Sequence, residues 1–167
     1  KHDIVLSEEN SPKLYILKNT STPGNISFTM TNITLLTSKA NQIRIADLDL
    51  DGKPDLITTD QSTGRVLINK NTSTLATISM AAVQAVTLPT AAGTDGIAVG
   101  DLNGDALPDI AVGEFLSANS NLFILKNASV PGTISFPATT LYVSIVDEHV
   151  NLSPATIGRL ISNFCSP

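Results

Sequence analysis

Short runs of apolar, largely β-branched residues alternate with clusters of Gly, Asn, Asp and Ser along this chain. In its middle the runs Gln42 to Ala46, Asp55 to Thr59, Arg65 to Asn69 and Ile78 to Leu88 each read as a strand, with turns between them. No window carries the spacing of an amphipathic helix. The pattern predicts an all-β protein. Its core is expected from Ile43, Ile45, Leu56, Ile57, Val66, Ile68, Ile97, Val99, Ile110, Val112 and Ile124.

The pattern also repeats. Leu14 to Ser21, Val66 to Ser73 and Leu122 to Ser129 align, with Lys-Asn pairs beginning at 18, 70 and 126. Pro23-Gly24-Asn25-Ile26-Ser27-Phe28 and Pro131-Gly132-Thr133-Ile134-Ser135-Phe136 follow the first and third. The second continues as Leu75-Ala76-Thr77-Ile78-Ser79-Met80, without the Pro-Gly turn. A unit of about 50 residues holding four short strands predicts a β-propeller blade of four antiparallel strands. One array is expected over residues 1–167, with repeats at 1–42, 43–96 and 97–154 and a degenerate further one opening at 155–167.

The ends are out of phase with the unit. His2-Asp3-Ile4-Val5-Leu6 aligns with Pro54-Asp55-Leu56-Ile57-Thr58, and Ile157-Gly158-Arg159-Leu160 aligns with Val99-Gly100-Asp101-Leu102. The chain is therefore expected to be a piece of a longer array. Three blades cannot close a ring, so further blades from the parent chain or from another copy are the expected partners.

Composition narrows the function. A hydrophobic content of 42% against 15% charged residues suits a folded domain with a real core. The net charge is −5 and the ten Lys and Arg are scattered, which argues against a nucleic-acid partner. No apolar run is long enough for a membrane span. The start, Lys1-His2-Asp3, does not read as a signal peptide. The single Cys165 offers no intrachain disulfide.

Seven of the fifteen acidic residues lie in two loops. Asp47-Leu48-Asp49-Leu50-Asp51-Gly52-Lys53-Pro54-Asp55 sets carboxylates at loop positions 1, 3, 5 and 9 with Gly at 6. Like charges so close repel unless a cation sits among them, and alternate residues of a curled loop can turn oxygens onto a hard cation. The bland reading is an Asp-Gly turn; the chemistry points to calcium. The second loop, Asp101-Leu102-Asn103-Gly104-Asp105-Ala106-Leu107-Pro108-Asp109, has Ala where the bend at position 6 favours Gly.

The unit Ile45 to Ile57, echoed at Val99 to Val112, resembles the FG-GAP/VCBS repeat of integrin α-subunit propellers and many bacterial surface proteins. The segment 17–28 resembles the version common in secreted proteins of the Bacteroidetes. The resemblance implies a propeller with structural Ca2+ in the loop joining the first two strands of a blade. The ligands expected are the side chains of Asp47, Asp49, Asp51 and Asp55 with the Lys53 carbonyl, then Asp101, Asn103, Asp105 and Asp109 with the Leu107 carbonyl. An EF-hand or dockerin would need an acidic residue at position 12, which is Thr58 in one loop and Val112 in the other. Magnesium prefers fewer carboxylates and more water.

Catalysis finds little support. Glu8, Glu9 and Glu114 fall in repeat-equivalent turns and are expected to be solvated, as is the triplet Asp147-Glu148-His149. Sequons at Asn19, Asn25, Asn32, Asn71, Asn127 and Asn151 arise readily by chance in so Ser/Thr-rich a chain. The reading is a calcium-stabilised, non-catalytic segment serving as an extracellular or cell-surface scaffold for binding or adhesion. Its expected partner is an extracellular protein or glycan. The alternatives are a carbohydrate-binding module, in which Tyr15, Phe123 or Tyr142 would stack on sugar, and a subunit of a surface filament.

Overall fold

The computed structural model describes residues 1–8, 11–34, 40–89, 93–114, 120–137 and 140–145. Three antiparallel sheets form from it. The first holds β1 (Ile4–Ser7), β2 (Lys13–Asn19) and β3 (Phe28–Thr34). The second holds β4 (Ala40–Ala46), β5 (Asp55–Asp60), β6 (Arg65–Asn69) and β7 (Gln84–Thr87). The third holds β8 (Thr94–Gly100), β9 (Asp109–Glu114), β10 (Ser120–Leu125) and β11 (Thr140–Ile145). Each is a meander of sequence neighbours, so the chain is all-β and built of propeller-type blades, as expected. The degenerate repeat at 155–167, with Arg159 and Cys165, lies outside the described residues, as do Glu9, the 147–149 triplet and Asn151.

The sheets stack through their first strands, β4 on β8 and β1 beside β4. Alternation along each strand sends successive side chains to opposite faces. In β4, Ile43 therefore packs toward the first sheet and Ala46 toward the third. Leu14, Ile16, Ala40 and Leu56 fill the layer between the first two sheets. A larger layer between the second and third holds Leu48, Ile57, Val66, Ile68, Ile97, Ile110, Val112, Phe123, Leu125 and Phe136. Every residue of β5 and β9 is buried, because both faces of these strands are covered.

Four departures from expectation have physical causes. The first sheet has three strands because β1 occupies the repeat position of β5, leaving no counterpart of β4 among the described residues. The fourth strand of the second sheet is Gln84–Thr87, not Ile78 to Leu88. The preceding stretch makes its own excursion, closed by Thr72 N–H to Ser79 O at 3.0 Å. At its tip, where the Pro-Gly turn is missing, Thr74 Oγ1 accepts from Thr77 N–H at 3.2 Å. Ile45, expected in the core, is 53% exposed. Leu48, in the middle of an Asp loop, is fully buried.

Candidate metal centre

Each blade clasps the end of its third strand position to the start of its second in the same way. The carboxylates of Asp3, Asp55 and Asp109 accept from the backbone N–H of Asn19, Asn71 and Asn127 at 2.7, 2.8 and 2.8 Å. The asparagine amides donate back to the carbonyls of His2, Pro54 and Pro108 at 2.9, 2.8 and 2.9 Å. Their Oδ1 atoms accept from Ser21, Ser73 and Ser129 N–H at 3.0, 2.9 and 2.9 Å. Asn-X-Ser is thus a structural word in this chain. Three of the sequons recur for that reason rather than by chance, and the Lys-Asn register at 18, 70 and 126 was the signal that marked them.

On this clasp the first Asp loop is hung. Asp55, fully buried, accepts Leu48 N–H at 2.9 Å on one oxygen and Asn71 N–H at 2.8 Å on the other. Asp47 accepts from Asp51 N–H at 3.1 Å and Gly52 N–H at 2.8 Å, which curls the loop. Oxygens of Asp47, Asp49 and Asp55 come within 4.8 Å of one another, a group that can hold a metal ion. Asp49 is fully buried, and its Oδ1 has no hydrogen-bond partner among the described residues. A buried carboxylate oxygen left bare is costly unless it meets a cation. Burial pushes the Asp55 carboxyl above the ordinary carboxylate range, against the pull of the two N–H donors, and the charge of Asp49 adds to the rise.

Lys70, next to the clasping Asn71, sends its ammonium into this group. It donates to Asp49 Oδ2 and, at 2.7 Å, to Asp51 Oδ2. Burial lowers its pKa, but the two carboxylates more than offset that and hold it above the usual lysine value. Asp51 is held below its ordinary value, first by the Lys70 bond and then by Lys53 N–H, which donates to Asp51 Oδ1 at 3.0 Å. Of the expected ligands, Asp51 is thus turned to Lys70, while Asp47, Asp49 and Asp55 converge. Lys70 itself was missed because the linear spacing of the loop does not include it.

The second loop closes on its own donors. Asp101 accepts N–H groups from Asn103 at 3.2 Å, Gly104 at 2.7 Å and Ala106 at 2.8 Å. Asn103 Oδ1 accepts from Asp105 N–H at 2.9 Å, and its amide donates to Asp109 Oδ2 at 3.2 Å. Asp105 Oδ1 accepts Leu107 N–H at 3.0 Å, with Lys126 3.7 Å from Oδ2. Its acidic side chains do not form a convergent group like that of the first loop among the described residues.

Both loops bend through two left-handed residues, and each supplies one glycine for the pair. Positions 4 and 6 are Leu50 (φ 55°) and Gly52 (φ 84°) in the first loop, Gly104 (φ 83°) and Ala106 (φ 67°) in the second. The bend is kept although glycine has moved from one position to the other. Position 12, Thr58 or Val112, is fully buried inside a strand.

Of the acids expected to be solvated, Glu8 is exposed and Glu114 is not. Glu114 is buried and accepts from the Asn121 amide. At the same repeat position, buried Asp60 caps the β5–β6 hairpin by accepting from Ser62 N–H at 3.0 Å and from the Ser62 and Thr63 hydroxyls. Glu8 binds the Tyr15 hydroxyl at 2.8 Å. No helix among the described residues is long and apolar enough to cross a membrane.

No curated protein and no solved structure matches the chain. Residues 47–112, the stretch running from the first Asp loop through the second, match the model of the FG-GAP-like repeat family.

Proposed function

We propose that this chain is a segment of an extracellular or surface-displayed propeller, stabilised by calcium at the first Asp loop, that serves as a non-catalytic scaffold for binding or adhesion. The observation that carries the metal is Asp49 Oδ1, buried and without a partner beside Asp47 and Asp55. All-oxygen, carboxylate-rich donors suit a hard cation, and calcium tolerates so many carboxylates better than magnesium does. Asp51 and the Lys53 carbonyl complete the set once Lys70 gives way. The second loop, satisfied by its own N–H groups, is the weaker site. Calcium here neutralises the loop and fixes β4 to β5, and it does no chemistry. Millimolar calcium outside cells fits so open a loop, as does the likeness of segment 17–28 to secreted Bacteroidetes proteins.

A sugar-stacking module is less well supported, since Phe123 is fully buried. Further blades are favoured by the far face of the first sheet, where Ile4, Leu6 and Met30 stand 41%, 48% and 66% exposed. The experiment is a thermal melt in calcium, in magnesium and in EDTA, with Asp49→Asn beside the parent. Calcium is expected to add about 3 kcal/mol at a hundredfold excess over its dissociation constant, and the Asp49→Asn substitution to remove most of that gain. Melts that coincide in calcium and EDTA sink the reading.

A further inference from the structure

A cavity of about 600 Å³ opens between the first and second sheets. We infer that it is a socket for the Asp loop of another repeat of this kind, and that the aliphatic residue at loop position 2 is the plug.

The filled version of the socket lies one blade further on. There Leu48, position 2 of the first Asp loop, is fully buried in a cluster that also holds Val99 and Ile110 of the third sheet and Ile134 and Phe136 of its β10–β11 connection. Its carbonyl accepts from the Asn127 amide at 2.8 Å. In repeat register those five residues correspond to Ile45, Leu56, Ile78, Met80 and Asn71, and all five line the cavity. The opposite wall matches too. Val5 and Ile16 of the first sheet line the cavity and correspond in register to Ile57 and Ile68, which share the cluster with Leu48.

The residues differ in what covers them. Phe136 and Asn127 are 8% and 1% exposed where Met80 and Asn71 are half-buried, and half-buried Val99 is matched by Ile45 at 53% exposed; Leu56 is as buried as Ile110, and Ile78 is half-buried like Ile134. Asn71 matches as a donor. The Asn127 amide serves both Leu48 O and Pro108 O, while among the described residues the Asn71 amide serves Pro54 O alone, which leaves one hydrogen for a plug carbonyl. The occupant is thus fixed by continuity with the interface beside it: a strand ending in Asp-Leu-Asx, with its apolar side chain in the pocket and its backbone carbonyl on Asn71.

The inference rests on the stacked-blade reading and not on the metal, so it is tested in EDTA. A synthetic peptide with the sequence of residues 42–50 is titrated into the full chain while the Ile, Val, Leu and Met methyl signals are followed. Saturable shifts are expected at Val5, Ile16, Ile78 and Met80, with binding at least about tenfold weaker for the Leu48→Asp peptide, as burial of one Leu side chain requires. No saturable shift at millimolar peptide, equal binding by the Leu48→Asp peptide, or shifts centred on Ile4 and Met30 each overturn the assignment. So does a sugar that shifts the same methyls when the peptide does not. The calcium melts are independent of all these outcomes.

Discussion

The Asn127 side-chain amide donates to the Leu48 carbonyl at 2.8 Å, joining residues 79 apart in sequence, in loops of different sheets. It is the third sheet's clasp reaching into the first Asp loop, which belongs to the second sheet. The amide is 1% exposed and every polar atom on it is used, so truncation strands buried partners on both sides. Asn127→Ala is expected to cost about 3 kcal/mol, and Asn71→Ala, which breaks the same clasp without the inter-sheet bond, about 1–2 kcal/mol. Urea denaturation of the two variants measures the difference. Equal losses would place the energy in the clasp alone.

The left-handed residues allow a paired test. A non-glycine residue at such φ costs about 1–2 kcal/mol, part of which glycine returns through its greater freedom in the unfolded chain. Ala106→Gly and Leu50→Gly are each expected to stabilise by about 0.5–1 kcal/mol. Gly52→Ala and Gly104→Ala should destabilise by a similar or larger amount, and on φ alone, because a Cβ at either would meet nothing within 4 Å. Destabilisation by Ala106→Gly would show that its methyl does more than tolerate the bend.

Repetition made the fold legible. Spacing of the Lys-Asn pairs and the apolar runs located β4, β5 and β6 because buried strands must be apolar on the faces they cover. What stayed hidden was whatever depends on a second segment. Ile45 reads as core by its strand, yet its exposure is decided by the sheet opposite. Leu48 reads as part of a polar loop, yet it is a plug for the neighbouring blade. Glu114 reads as a solvated turn residue, yet it is buried and accepts from the Asn121 amide. In the first Asp loop, carboxylate spacing singled out Asp47, Asp49 and Asp55, whose oxygens converge, together with Asp51, which turns to Lys70. It could not foretell Lys70, which reaches them from the end of β6.

Lys70 sets a competition. Its ammonium occupies Asp49 Oδ2 and Asp51 Oδ2, so the calcium proposed for this loop must displace it or share those oxygens with it. Lys70→Gln is expected to lower the melting temperature in EDTA, since Asp49 then lies buried without its counter-charge. The same change should raise calcium affinity by about tenfold, because a positive charge beside a divalent ion is removed. Calorimetric titration of parent and variant measures this. A weaker calcium site in Lys70→Gln would mean that Lys70 arranges the ligands instead of competing for them.

Acid should expose the second loop. Donation from Ala106 N–H, then Gly104 and Asn103, holds Asp101 below the ordinary carboxylate value. A carboxyl whose pKa is lower folded than unfolded contributes in full above the unfolded value of about 3.9, and that contribution is lost as pH falls through the folded value. Asp55, held above its ordinary value by burial, acts in the opposite sense and loses part of its contribution as pH rises through its folded value. The parent's acid limb therefore sums both, and only comparison with Asp101→Asn isolates the loop. Melting temperatures in EDTA between pH 7 and pH 2 should show the variant less stable than the parent at neutral pH and converging on it in acid. A constant offset across the range would mean that the bonds to Asp101 do not depend on its charge.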